Sequence, residues 1–419
     1  MNSFLFILLC VLSCSASVVK PGNIRFAEGQ KMERSPLQSA IDGFTLDFLK
    51  KQVNSMPKDN VFFSPLSIEV AFSLLMGGSR GATRDEILKT LHLNSITNSE
   101  SIHSEFGKLS SNYSKEGADS TILNSNLLAI SKNISVNSDF KQLAGKYLAE
   151  VTSENFSEPA KVQEKINSWV AQKTKNLIPK LLSQPPSEET MMMILNTIYF
   201  RGKWVGAFKP IDTKRENFTN ADESISKVQL MNRHGVRLPY LEVREEKYEI
   251  LEIPYKDSIS MYIFLTKENN KLVELISKLN DTKLINQIES LSPISFSHIS
   301  IPKFKLEREY TLHTVLPDMG MRKVFSDQSD LSGLGISRKA KVDTSIHKAV
   351  VEVDEEGTVA AAATQIAVVP YSSMGFRSLR TFIVDHPFMF VIRDKTKSVT
   401  LFAGVVNKLE NSKPEPSSR

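Results

Sequence analysis

Residues 355–376 read EEGTVAAAATQIAVVPYSSMGF, and the fold turns on how this stretch is understood. Ahead of it, Val342 to Asp354 has the composition of a strand, with Ala349, Val351 and Val353 on one face. The next strand-like run starts near Thr381. A connection of about 26 residues is far longer than is usual inside a compact domain, and such loops generally carry function or are disordered. The composition is not that of a solvated loop. Thr358 to Phe376 contains no charged residue, and no proline precedes Pro370. Ala360, Ala361, Ala362 and Ala363 favour helix, whereas Thr358, Val359, Thr364, Ile366, Val368 and Val369 favour strand. Residue types alone therefore fit either an ordinary short helix or a strand that inserts. A segment able to slip between existing strands must have no charge to bury, no bulk to clash and no proline to interrupt the ladder.

The flanking sequence has mixed character. Ser35-Pro36 reads as an N-cap with proline in the first turn, followed by Leu37, Ile41, Phe44 and Phe48 at helical spacing. Asn60 to Phe63 is a short apolar run, and Ser64-Pro65 opens a second helix that ends at Gly77-Gly78. Thr83 and Glu86 have capping-box spacing for a third. Val162, Ile166, Trp169 and Val170 mark another after Pro159. Thr190 to Phe200 is a nearly apolar run suited to a strand covered on both faces. Stretches near 226–266, 294–306, 342–353, 381–393 and 399–406 also read as strands. Helices first and strands later, without βαβ alternation, indicate an α+β fold.

The 419 residues, 41% hydrophobic and 24% charged, exclude a disordered chain. Lys and Arg number 52 against 47 Asp and Glu, too small and scattered an excess to argue for nucleic acid. Residues 1–17 have the shape of a secretory signal: an uncharged apolar run from Ser3 to Ser13, then Ser15, Ala16 and Ser17. The only cysteines, Cys10 and Cys14, lie inside it, so the mature chain has no disulfide and no thiolate. Eleven residues are too few to span a bilayer, and no later run is long enough. Asn112, Asn133, Asn155 and Asn217 begin glycosylation sequons; that at Asn280 has an unfavourable Asp281. The expected organisation is a signal (1–17), an N-terminal extension (18–35), one domain (36–409) and a disordered tail (410–419).

Several of these stretches together resemble the serpin family. Glu355-Glu356-Gly357-Thr358-Val359-Ala360-Ala361-Ala362-Ala363-Thr364 is similar to the hinge of inhibitory serpins, and Asp385-His386-Pro387-Phe388, Phe390 and Phe402-Ala403-Gly404 to the C-terminal signature. Asn60 to Ile68, Asn196 to Gly202, Ile301-Pro302-Lys303-Phe304 and His347-Lys348-Ala349 match as well. The resemblance implies three sheets, about nine helices and an exposed reactive loop at roughly 355–380. It implies a suicide substrate rather than an enzyme: a serine protease attacks the loop, forms an acyl-enzyme and is trapped as the hinge side inserts into the main sheet. Fourteen residues after Gly357, the family's usual spacing, places the cleaved bond at Tyr371–Ser372, which suits a chymotrypsin-like pocket. Arg377 would instead select a trypsin-like protease. The family pattern also assigns Ser64, Ser67, Asn196 and His347 to a polar cluster beneath the parting strands (the shutter). Trp204, Lys303 and Glu355 fall where the hinge first enters (the breach).

Other readings are open to test. A serpin that no longer inhibits, acting as carrier, chaperone or storage protein, usually carries charge, bulk or proline in the hinge, which this chain lacks. Gly77-Gly78-Ser79-Arg80-Gly81 fits the G-x-S-x-G nucleophile elbow, but a helix rather than a strand leads into it. No HExxH or P-loop occurs, and the seven histidines are scattered without metal-ligand spacing, so no metal or cofactor is expected. A glycosaminoglycan cofactor has slender support from Lys108 and Lys115, and from Arg338, Lys339 and Lys341. The expected partners are extracellular serine proteases, with no nucleic acid or membrane, and the expected state is a secreted monomer.

Overall fold

A computed structural model describes residues 34–114, 119–335, 340–357 and 380–412. The signal peptide, Thr358, Ala360, Ala361, Ala362, Ala363, Tyr371, Ser372, Arg377, Lys115, Arg338 and Lys339 lie outside the described residues. The chain runs through α1 (Pro36–Ser55), β1 (Val61–Phe63), α2 (Pro65–Gly78), α3 (Gly81–Thr90), α4 (Ser99–Asn112), β2 (Ser120–Ser131), α5 (Ser138–Lys146), β3 (Ala149–Glu154), α6 (Pro159–Lys173) and β4 (Met192–Gly202). Then come β5 (Lys214–Thr219), β6 (Ile225–Val243), β7 (Tyr248–Pro254), β8 (Ile259–Thr266), α7 (Leu272–Lys278), α8 (Asp281–Glu289), β9 (Ser292–Pro302) and β10 (Phe304–Thr311). The last are α9 (Leu312–Val315), β11 (Thr344–Val353), β12 (Arg380–Ile383), β13 (Phe388–Asp394) and β14 (Val399–Val406).

Helix starts follow from local chemistry. The Ser35 hydroxyl accepts from Gln38 N–H, and the Gln38 side chain accepts from Ser35 N–H, a reciprocal capping box. Ser64 caps α2 by accepting from Ser67 N–H. The capping box expected at Thr83 and Glu86 does not form, and α3 starts three residues earlier, at Gly81 with Arg80 as its N-cap. Thr83 instead accepts from Asp330 N–H, and Glu86 from the N–H groups of Arg322 and Lys323, which open a 3-10 turn far away in sequence. Helices and strands are also less segregated than expected, with β2 and β3 among the early helices and α7 and α8 among the later strands.

Among the described residues the strands form a five-stranded sheet, ordered β10-β11-β4-β2-β3, and a nine-stranded network. The latter runs β1-β14-β13-β8-β7-β6-β9-β12, with β5 also on β6. It joins two of the three expected sheets through β6. The first part of this 19-residue strand pairs with β5, the last four residues pair with β7, and β9 spans the middle. The larger apolar core gathers α1, α2 and the nine-stranded network, with Phe62 stacked on Phe402 at 5.5 Å. A second core lies under α6, where Val162, Ile166 and Val170 meet Leu127, Leu195, Tyr199 and Val350. The five-stranded sheet is thus covered on both faces, which explains why β4 is almost wholly apolar up to Phe200, apart from Asn196 and Thr197.

Candidate functional site

The middle of the five-stranded sheet is a parallel pair. β11 lies directly against β4, from Thr344 opposite Met193 to Val351 opposite Phe200. Parallel pairing is slightly less stable per residue than antiparallel. At the end of β11 the chain turns, with Gly357 N–H donating to Asp354 O at 3.1 Å. A strand that reversed here and entered between β11 and β4 would run antiparallel to both. It would exchange one parallel ladder for two antiparallel ones.

Backbone and side-chain groups of the β4–β5 and β9–β10 connections hold this turn against the top of β4. Trp204 Nε1–H donates to Asp354 O at 2.9 Å, Trp204 N–H to Glu356 O at 3.1 Å, and Phe208 N–H to Glu355 O at 2.7 Å. The Trp204 ring stacks on Tyr255 at 3.8 Å. Lys303 Nζ reaches Glu355 Oε2 at 2.8 Å, and Thr213 donates to Oε1 at 3.0 Å. Burial pushes the Glu355 carboxyl up, but the bonds from Lys303, from its own backbone N–H and from Thr213, with the Lys303 charge, together outweigh it and lower the pKa from its ordinary value. Gly357 has φ +72°, and a Cβ there would fall 2.2 Å from Gly202 O, so only glycine fits.

Halfway down the same pair, polar side chains cross between the strands. His347 on β11 sits opposite Asn196 on β4, and both are fully buried. Ser64 N–H donates to His347 Nε2 at 3.1 Å, so the neutral ring carries its proton on Nδ1 and donates it to Asn196 Oδ1. Asn196 Nδ2 donates to Ser67 Oγ and to Asn126 Oδ1 at 2.6 Å, and Ser67 Oγ donates to Asn124 Oδ1 at 2.9 Å. Burial pushes the His347 pKa down to about 3, which keeps the ring neutral and this directional chain intact.

The structure therefore brings together Trp204, Lys303 and Glu355 at one point, and Ser64, Ser67, Asn196 and His347 at another. Glu356 and Gly357 lie in the turn that joins β11 to the charge-free segment. Sequence reasoning missed Thr213, Phe208 and Tyr255 at the first point. It also missed Asn124 and Asn126, whose only signal was two asparagines inside the apolar run of β2. Asn112, Asn133 and Asn217 are exposed, whereas Asn155 is half-buried and donates to Glu158 at 2.8 Å. Ser79 is buried and donates back to Leu75 O at 2.9 Å, so the G-x-S-x-G stretch is a helix-to-helix turn. Of the basic residues considered for glycosaminoglycan, Lys108 lies on α4, and Lys341 pairs with Asp327 at 2.7 Å.

Fold and site define a class: α+β proteins whose main sheet has a parallel pair at its middle, followed directly by a long segment of small uncharged residues. The profile of the family described as Serpin (serine protease inhibitor) matches residues 39–409, and the chain belongs to that family. Iripin-2 of Ixodes ricinus is 34% identical over 90% of this chain and 94% of its own length. Leukocyte elastase inhibitor A of Mus musculus is 34% identical over 88% and 98%. Among solved structures, Serpin48 of Tenebrio molitor, described as a highly specific serpin, superposes with TM-score 0.80 at 30% identity, covering 91% of this chain and all of its own. Thyroxine-binding globulin with thyroxine bound superposes equally well at 26% identity, covering 90% of this chain and 100% of its own.

Proposed function

We propose that this chain is a secreted, monomeric inhibitor of chymotrypsin-like serine proteases that is consumed in a single turnover. The observation that carries the reading is the parallel β4–β11 pair, closed by Lys303–Glu355 and by His347–Asn196, with a charge-free segment rooted at its end. The protease serine attacks the Tyr371 carbonyl, the Tyr371–Ser372 peptide breaks, and Ser372 leaves with the new amine. Before water releases the acyl group, residues from Thr358 onward enter the gap. Thr358 to Tyr371 spans roughly 46 Å as a strand at about 3.3 Å per residue, far enough to carry the attached protease away from where it bound. The inward face would be Thr358, Ala360, Ala362, Thr364, Ile366 and Val368, all small or apolar. Net hydrogen bonding of about 1 kcal/mol per bond is nearly cancelled by ordering costs of about 1–2 kcal/mol per residue. The surplus must come from burying that face and relieving the uninserted sheet.

Relatives named as inhibitors of proteases, one of leukocyte elastase, support the inhibitory reading. Secretion is supported by the signal-like residues 1–17, with glycans at exposed Asn112, Asn133 and Asn217. The reading requires no metal or cofactor; a glycosaminoglycan would act only as an accelerator, and heparin titration of the inhibition rate tests that. The carrier alternative draws on the thyroxine-bound neighbour, but the hinge residues argue against it. The deciding experiment is incubation with chymotrypsin, elastase and trypsin, followed by a denaturing gel and the mass of the released fragment. A stable adduct with chymotrypsin and a fragment beginning at Ser372 is expected. A fragment beginning at Ser378 would move the bait to Arg377, and no adduct with any of the three would overturn the reading.

A further inference from the structure

Histidines that are 64 positions apart meet on the nine-stranded network, among residues not used in the site above. His234 on β6 is the direct cross-strand partner of His298 on the antiparallel β9. Their rings stack 4.6 Å apart with planes 15° from parallel. His234 is exposed and His298 half-buried, so solvent reaches the pair. The buried side chain of Asn232 fixes how His298 is protonated. Asn232 Nδ2 donates to Asp212 O at 2.8 Å and Leu230 O at 3.0 Å, which turns its Oδ1 toward His298 Nε2 at 2.7 Å. An amide oxygen only accepts, so Nε2 carries the hydrogen and the Nδ1 lone pair is left for a ligand. Metal-ligating histidines are held in this way, with the second ring N–H donated to a carbonyl oxygen.

We propose that His234 and His298 are the two protein ligands of a surface site for a divalent transition-metal ion of the Zn2+, Cu2+ and Ni2+ class, with water completing the coordination. Imidazole nitrogen selects these ions over Mg2+ and Ca2+, which take oxygen ligands. The ligands must be unprotonated. Stacked rings direct their nitrogen lone pairs side by side, so the exposed His234 ring must swing out of the stack for both rings to meet one ion; that ion would then cross-link β6 to β9. His298 is also in register with Thr381 on β12, the strand that begins four residues after the end of the charge-free segment. The cross-link would therefore brace the sheet that anchors the far end of that segment.

The test is calorimetric titration of untagged mature protein with ZnCl2 at neutral pH, with MgCl2 as the control ion. His234→Ala and His298→Ala are compared with His92→Ala, which removes the exposed imidazole paired with Asp47. We expect one Zn2+ per chain, an affinity at least tenfold weaker in each of the first two variants, and no change in the third. Binding should also weaken on acidification as protons compete for the rings. His234 is exposed, so its replacement leaves the fold intact, and a thermal melt checks this. No saturable Zn2+ binding, or binding that survives either substitution at 234 or 298, would overturn the proposal.

Discussion

Replacing Asn196 by alanine isolates one bond that exists only while the sheet is shut. Two of the Asn196 bonds, to Ser67 and Asn126, run to α2 and β2, on the same side of the β4–β11 gap as Asn196 itself. Their loss is common to open and closed forms. The third, from His347, crosses the gap. Neighbouring strands lie about 4.8 Å apart, so an intervening strand would double the separation and break this bond in any molecule. In the variant the closed form is left with a buried His347 N–H lacking an acceptor, a cost of about 1–3 kcal/mol. Each 1.4 kcal/mol or so is tenfold in rate, so opening should accelerate roughly 5- to 150-fold. The assay is loss of monomer on native gels during incubation below the unfolding midpoint. An unchanged rate of loss, in a variant whose overall melting point has fallen, would show that the bond does not guard the gap.

Glu355→Lys sets two cations against each other where Lys303 now pairs with a carboxylate. It should increase polymer formation on gentle heating, although the native pair is half-exposed at Lys303 and worth only about 1 kcal/mol or less; unaltered polymerisation would remove the pair from the account. Thr358→Arg places a charge on the proposed inward face and should convert inhibitor into substrate, so stable protease adducts on a denaturing gel would contradict the inserted register. Glu69 on α2 is fully buried, neither carboxyl oxygen has a hydrogen-bond partner among the described residues, and burial, then the charge of Asp42, pushes its pKa well up. The folded state thus holds a proton that the unfolded chain releases at ordinary carboxyl pH, and stability falls as pH rises through the folded pKa. Glu69→Gln should flatten that decline between acid and neutral pH in thermal melts; an unchanged slope would mean another group sets it.

Much of the fold could be read because its signals are local. Ser35 with Gln38, and Ser64 with Pro65, mark helix starts with bonds that close within a turn. The run from Thr190 to Phe200 is nearly all apolar because β4 is covered from both sides. Thr83 and Glu86 misled for the opposite reason: capping spacing says only that a side chain could reach, and both reach partners more than 200 residues away. β2 was harder to see because Asn124 and Asn126 are poor strand formers, present for the buried network rather than for the ladder. His234 and His298 show the same limit, since no spacing rule spans 64 residues and only the β6–β9 register makes them neighbours.

Trapping requires the β4–β11 pair to open and accept a severed loop, and comparing melting of intact and loop-nicked protein tests this most directly. If insertion occurs, the nicked molecule gains two antiparallel ladders and should unfold well above the intact one. A nicked form that melts at or below the intact temperature would contradict it.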